Sequence, residues 1–270
     1  MAEKMTFNKN EVVLEKIRQA SFYNLEDGKL ELRITSIEEP TLACQAEGED
    51  VTDAQGNLIT TIYKAKQATF GGSNSLFSFD LAAKQLGTNK EVTVVDEENP
   101  DNNKTITCYA YEIFDVNGAT VTLKNKPNVD SIKYIYALEN GEIGKSYVSG
   151  AAASDEQFVV ANDGTVTLPT SVTSGRVYIE YSFESLSAAR VVNEADKFPT
   201  AGRLVILAYF RDKCTDKLYS GAVVCPKAKL SPESVDFNLT PTGKHPFEFK
   251  MMKDYCNDLE DELFEIIINE

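Results

Sequence analysis

The chain has 270 residues, 42% hydrophobic and 26% charged, with only 15 Gly and 9 Pro, a composition that excludes disordered and collagen-like chains and leaves room for one large β unit or two smaller domains. Basic residues number 27 against 42 acidic ones, a formal net charge of −15 with no basic cluster, which argues against reading nucleic acid through its phosphates. No apolar run approaches the roughly 20 residues of a bilayer span, and residues 1–10 lack the apolar stretch of a secretory signal, so the expected place of synthesis is the cytoplasm, without a membrane.

The N-terminal Val12, Val13, Leu14 and Ile17 suit either a short helix or an arm laid on a partner. Asp27-Gly28 is a turn signal, followed by Leu30, Leu32 and Ile34 alternating with Glu31, Arg33 and Thr35 as in a half-buried strand. Residues 58–70 are rich in β-branched and aromatic positions and follow a turn at Gln55-Gly56-Asn57, which predicts a long strand in a hairpin with residues 41–50. Between Ser75 and Leu86, the spacing of Leu76, Phe79, Ala83 and Leu86 predicts a helix with Ser75 as N-cap and Gly87 as its stop. Phe77 lies off that stripe, where a loop or a neighbouring subunit would cover it. Gly71-Gly72 reads as a flexible connection into the helix rather than an anion cradle, since no Lys and Ser or Thr follow it.

After a strand at residues 91–95, the acidic stretch 96–103 carries Pro100 and three Asn but no large apolar residue, and is expected to be a domain boundary. Beyond it, strands are expected at 105–111, 119–123, 132–138, 158–160, 165–168 and 176–183, with turns at 115–118 and 162–164. Val177, Ile179, Tyr181 and Phe183 should all point one way. About seven strands in some eighty residues fit an immunoglobulin-like sandwich, although the chain has no Trp. Residues 193–199 lead back to the first domain. There, 203–210 and 218–225 form a plausible central hairpin, Val235, Phe237 and Leu239 alternate, as do Phe247, Phe249 and Met251, and a last strand spans 263–268. The expected organisation is a discontinuous domain, 1–103 with 187–270, enclosing an inserted domain, 104–186. The insert holds 6 basic and 10 acidic residues, net −4, leaving −11 for the enclosing segments. Seven of those acids, and no base, lie in residues 254–270.

Nothing in the sequence supplies a catalytic kit. Phosphate-binding loop, dinucleotide, nucleophile-elbow and H-E-x-x-H motifs are all absent, and no catalytic, cofactor-binding or metal-ligating residue is expected. His245, the single histidine, flanks Pro246 and reads as a residue of a polar turn rather than a base. Cys44, Cys108, Cys214, Cys225 and Cys256 are odd in number and widely spaced, which predicts reduced thiols, several of them buried, and neither zinc nor disulfides. Asn103-Lys104-Thr105 and Asn238-Leu239-Thr240 match the glycosylation pattern but mean nothing without secretion.

The block Lys197-Phe198-Pro199-Thr200-Ala201-Gly202-Arg203-Leu204-Val205-Ile206, the hairpin through residues 219–229 and the later Phe247-Glu248-Phe249 resemble bacteriophage tail tube (major tail) proteins. So does the order of hairpins around one helix with an immunoglobulin-like insert; the likeness covers residues 30–95 and 197–270. It implies a mainly β fold, a tail-tube-like sandwich or barrel with one packed helix plus an inserted β-sandwich. It also implies a non-enzymatic virion structural protein whose partners are copies of itself in stacked hexameric rings and other tail proteins. DNA would pass an acidic lumen on ejection without sequence-specific binding. The competing readings are a head, capsid accessory or decoration protein; a carbohydrate- or host-binding module, with Tyr134, Tyr136 and Tyr147 as nearest candidates; and a hydrolase on a β scaffold.

Overall fold

The computed structural model describes residues 11–213, 215–233, 235–237, 240, 243–255 and 262–269. These are mainly β. In chain order the elements are β1 (Val12–Asn24), β2 (Leu30–Ile34), β3 (Ile37–Thr52), β4 (Leu58–Asn74), α1 (Phe79–Gln85), β5 (Glu91–Val92), β6 (Ile106–Asp115), β7 (Thr120–Thr122), β8 (Tyr134–Glu139) and β9 (Glu142–Ser149). They continue with β10 (Gln157–Val160), β11 (Thr165–Thr167), β12 (Arg176–Ser185), β13 (Ala189–Arg190), β14 (Ala201–Asp212), β15 (Leu218–Leu230), β16 (His245–Met251) and β17 (Glu265–Asn269). The chain forms two compact units, one drawn from the residues up to Lys90 and from Val191 onward, the other Glu91–Arg190.

The first unit is one antiparallel sheet in the order β2-β1-β14-β15-β16-β4-β3, with β17 on the first half of β15. Leu204, Ile206, Ala208 and Phe210 alternate inward along β14, at the sheet's centre. The Phe22 ring of β1 and the Phe249 ring of β16 lie 5.5 Å apart. Three strand spacings separate them, about 14 Å in a flat sheet, so the sheet curls into a nearly closed barrel around one core. A bulge in β15 serves that curvature: Leu204 faces Cys225 while Gly202 faces Ala228, one extra residue on β15. The extra residue lets both Cys225 and Ala228 point inward, and both are fully buried. Gly202 must be glycine, because a Cβ there would stand 2.4 Å from the Phe22 ring and 2.5 Å from the Tyr23 carbonyl.

The helix differs from expectation at its start. Its N-cap is Ser78, whose hydroxyl accepts from the Leu81 N–H at 3.3 Å, and it buries Leu81, Ala82, Ala83 and Gln85. Leu76 and Phe79 of the expected stripe are exposed. Ser75 instead donates to the Glu38 carboxylate at 2.7 Å, holding the chain extended beside β3. Gly87 ends the helix as expected, with φ +70°, and the Thr88 N–H reaches the Ala83 carbonyl at 2.8 Å. The N-terminal segment is neither helix nor free arm: Val12–Asn24 pairs along β14. Gly71 and Gly72 lie inside β4, paired with Glu248 and Phe247, not in a connection. Residues 235–237 form no strand, and Leu239 lies outside the described residues, as do Asn238 and residues 256–261 and 270 of the acidic segment.

In the second unit the strands follow the order β6-β12-β8-β9-β10-β11-β7. Only β9 and β10 pair in parallel. Val177, Ile179 and Tyr181 are buried with Ile132, Ile135, Phe158 and Val166. The Tyr181 hydroxyl, buried in that core, donates to the Glu112 carboxylate at 2.6 Å. The strand β9, not expected from its sequence, is set by Asn140 and Gly141, both at positive φ, which make the two-residue turn joining it to β8. The unit is wider than the 104–186 segment because β5 and β13 pair, Val92 with Ala189 and Glu91 with Arg190, closed by an Arg190–Glu91 ion pair at 3.0 Å.

The two cores share no residue. Phe249→Ala is therefore expected to destabilise the first unit by about 3–5 kcal/mol while leaving the second untouched. Urea unfolding followed by amide exchange checks this: protection should fall at Leu204 and Ile206 and stay at Val177 and Ile179.

Candidate assembly surface

The most distinctive surface of the first unit is the β3–β4 hairpin. Before Ala68, from Leu58 to Gln67, no residue of β4 is buried, and none of β3 is. The ribbon runs from the Gln45–Gln67 pair to the Thr52–Leu58 pair, about 23 Å along β3 at 3.3 Å per residue. Its turn is locked by Asp53, whose carboxylate accepts the N–H groups of Gln55 at 2.9 Å and Asn57 at 2.8 Å, with Gly56 at φ +85°. Hydrogen bonds from Asn57 hold the Asp53 carboxyl below its usual range. The stem carries Leu58, Ile59, Ile62 and Tyr63 in the open, Ile59 at 64% and Tyr63 at 71% exposure. A two-stranded ribbon is marginal on its own, so these side chains mark a surface that gains from being covered.

The C-terminal strand repeats the pattern. Three consecutive isoleucines, Ile266, Ile267 and Ile268, place apolar groups on both faces of β17, and none is buried. Its hydrogen bonds run to β15 from Ser220 to Val224. At the other end of the sheet, Val13 and Leu14 of β1 and Leu30 of β2 are also exposed.

A third element joins α1 to β16. His245, expected in a polar turn, opens β16 instead and is 2% exposed. Its Nδ1 accepts the Ser78 N–H at 3.3 Å, so the proton of the neutral ring sits on Nε2, 2.7 Å from Gln85 Oε1. The Gln85 amide in turn donates to the Pro246 carbonyl at 2.8 Å. The Phe77 ring stacks on the imidazole at 5.1 Å, and Phe237 meets it edge-on at 5.3 Å. One face of Phe77 is thus covered within the unit while the ring stays half exposed. Burial pushes the His245 pKa down. Pro246 is the misleading signal: at that point β16 pairs with β4 alone, since β15 reaches only Phe249–Met251, and proline is tolerated at such an edge.

Cys225 is buried with its thiol pushed up to about 11, Cys108 is half-buried and Cys44 exposed, while Cys214 and Cys256 lie outside the described residues. Among the described residues no group of three His, Cys, Asp or Glu is placed to hold a metal. A hollow of about 930 Å³ is lined by Cys44, Lys66, Met251, Tyr255 and Phe264; Lys227 on its wall is paired with Asp254 at 3.1 Å. Of the tyrosines named from sequence, Tyr147 is buried, whereas Tyr134 is exposed and Tyr136 half-buried. Asn103 turns inward on its own loop, accepting the Asp96 N–H at 2.7 Å.

Several basic side chains are met by local acids: Arg211 by Glu15 at 2.6 Å and Asp216 at 2.9 Å, Lys244 by Glu38 at 2.7 Å, Lys213 by Glu11. The sequence as a whole carries a formal surplus of 15 negative charges.

A family model described as the YomU/Tube protein family matches residues 12–266. No curated protein matches the chain.

The His245 site predicts a pH response. Above the ordinary imidazole value of 6.5 the ring is neutral in folded and unfolded chains alike. Below it, the unfolded chain binds a proton that the buried site resists, so stability falls as pH drops below 6.5. Replacing His245 by Ala should cost about 1–3 kcal/mol, by stranding the Ser78 N–H and Gln85, and should flatten that part of the stability–pH curve, measured by denaturant titration across the window.

Proposed function

The chain belongs to the YomU/Tube protein family, and on that premise we propose that it is a bacteriophage tail tube subunit, a non-enzymatic structural protein of the virion. Copies join side by side into rings of six, and the rings stack into a tube through which DNA leaves the particle. The observation that carries this reading is the β3–β4 ribbon, together with β17: both are ordered strands bearing apolar residues that their own unit does not bury. Backbone edges and isoleucine faces of this kind are satisfied when neighbouring copies continue the sheet. Closed rings also remove the open edges at β2 and β3.

The charge supports the same reading. A net acidic wall repels phosphate and so does not hold DNA. Some of the surplus carboxylates of the first unit face the channel in this proposal. The other partners are tail proteins at the tube's ends, and the chain is made in the host cytoplasm before assembly.

The second unit is proposed to be an immunoglobulin-like decoration, inserted into the tube domain and dispensable for assembly. Its seven short strands around a single core support this. Its ends also support it: Glu91 and Arg190 are cross-strand partners, about 5 Å apart, so a short turn can replace everything between them.

Electron microscopy of the purified protein tests the main reading: tubes or rings with a central channel are expected, and a monomer at high concentration would sink it. Truncation after Phe264 should abolish rings while leaving the fold, as judged by circular dichroism. Excision of residues 104–186, flanks joined, should leave assembly intact; an insoluble product would refute the division into tube domain and insert.

A further inference from the structure

The second unit carries a solvent face unlike any in the first. Along β6 the residues opposite the core are Thr107, Tyr109, Tyr111, Ile113 and Asp115. Tyr109 is 80% and Tyr111 65% exposed. On β12 the same face carries Tyr178 and Glu180, and on β8 Tyr134 and Tyr136. The register sets Tyr178 between Ile113 and Tyr136, Tyr111 beside Glu180, and Tyr109 beside Ser182. Tyr111 and Tyr178 stack at 5.6 Å, and Tyr136 follows at 6.3 Å. Three adjacent strands thus present five tyrosines on one sheet face.

We propose that this face binds a neutral polysaccharide. The chemistry of the face selects that ligand. Pyranose rings present C–H faces to the electron-rich surface of an aromatic ring, and their hydroxyls need acceptors close by. Glu180 supplies one in the middle of the tyrosines; its carboxylate accepts a long hydrogen bond from the Tyr178 hydroxyl at 3.3 Å. An anionic polymer has nothing to hold here, because the face's base on β12, Arg176, stands opposite Asp115 in the register, and Glu180 and Glu184 would repel it. A permanent protein contact is also disfavoured by composition. The surfaces assigned above to copy-to-copy contact are rich in isoleucine, Ile59, Ile62, Ile266 and Ile267, whereas this one keeps its hydroxyls toward water. The proposal uses residues of the second unit alone, so it stands or falls independently of tube formation.

The chain has no Trp, so its intrinsic fluorescence comes from its 12 tyrosines, five of them on this face, and the part of a ligand-induced change lost in the tyrosine variants reports the face. The full-length protein is titrated with soluble dextran, a β-1,3-glucan and galactomannan, and with polyglycerol phosphate and duplex DNA as anionic probes. Saturable binding of at least one neutral glycan is expected. The double variant Tyr109→Ala, Tyr111→Ala should weaken it at least about ten-fold, equivalent to about 1.4 kcal/mol, with an unchanged circular dichroism spectrum. Tyr111→Phe, which keeps the ring, should stay within about three-fold of the parent, a change below that ten-fold step. Three outcomes overturn the proposal: no neutral glycan bound up to about 1 mM, where any affinity is weaker than about −4.1 kcal/mol; binding confined to the anionic probes; or glycan binding indifferent to the alanine pair. A fourth does so in the assembled protein: Tyr109 protected from iodination would assign the face to a contact between copies.

Discussion

A β-strand has two edges of backbone donors and acceptors and two faces of side chains, and all four must be satisfied by something. In the first unit this holds from β1 through β16, where the curled sheet closes its inner face on Phe22, Phe70 and Phe249. It fails in two places. The β3–β4 ribbon has its strands paired to each other but both faces open, and β17 has one edge on β15 and isoleucines on each side. Order without burial is the constraint from which the functional reading follows, because a strand that buries nothing within its own chain needs a second chain to gain from being a strand.

The inner half of the barrel explains why the ribbon can project at all. The bulge in β15 lets Cys225 and Ala228 both face inward, which tightens the sheet where β16 joins. From Leu58 to Gln67 β4 lies outside the core, and among the described strands its only companion there is β3. The other end of β16 is fixed by His245, whose neutral ring ties the start of α1 through the Ser78 N–H and its end through Gln85. Helix and sheet are thus joined by polar groups chosen for one protonation state, while Leu81 supplies the apolar contact to the core. A basic residue at position 245 that stayed charged would leave Ser78 facing a donor, so imidazole is used here as an acceptor.

Much of this could be read in the sequence, and the failures have physical causes. Strict alternation in Leu204, Ile206 and Phe249 located the core strands, because each has one buried face. The Asn140-Gly141 pair was a hairpin signal, yet β9 went unread since Glu142–Ser149 buries only Tyr147. The helix was started too early because Leu76 and Phe79 fit a 3.6-residue period by spacing alone, whereas Ser75 is engaged by Glu38, which comes from β3 and is visible only in three dimensions. His245 was placed in a turn by its proline neighbour; its partners lie 160 and 167 positions away. The ribbon's strands were legible from composition, but its open faces were not, since alternation reports a core only where one exists.

Charge sets the terms on which copies can meet. Each carries 15 surplus negative charges, and bringing two together raises their repulsion over a range of about 8 Å at physiological ionic strength. Local ion pairs do not offset this between copies, because Arg211 and Lys244 already serve Glu15 and Glu38 of their own chain. In the proposed assembly the attraction comes from terms that charge does not weaken: isoleucine and tyrosine area removed from water along the ribbon and β17, and backbone hydrogen bonds along open edges. In the proposed tube, that division of labour keeps adhesion on the sheet edges and leaves the carboxylates free for the channel, where a surface that repels phosphate is the useful one.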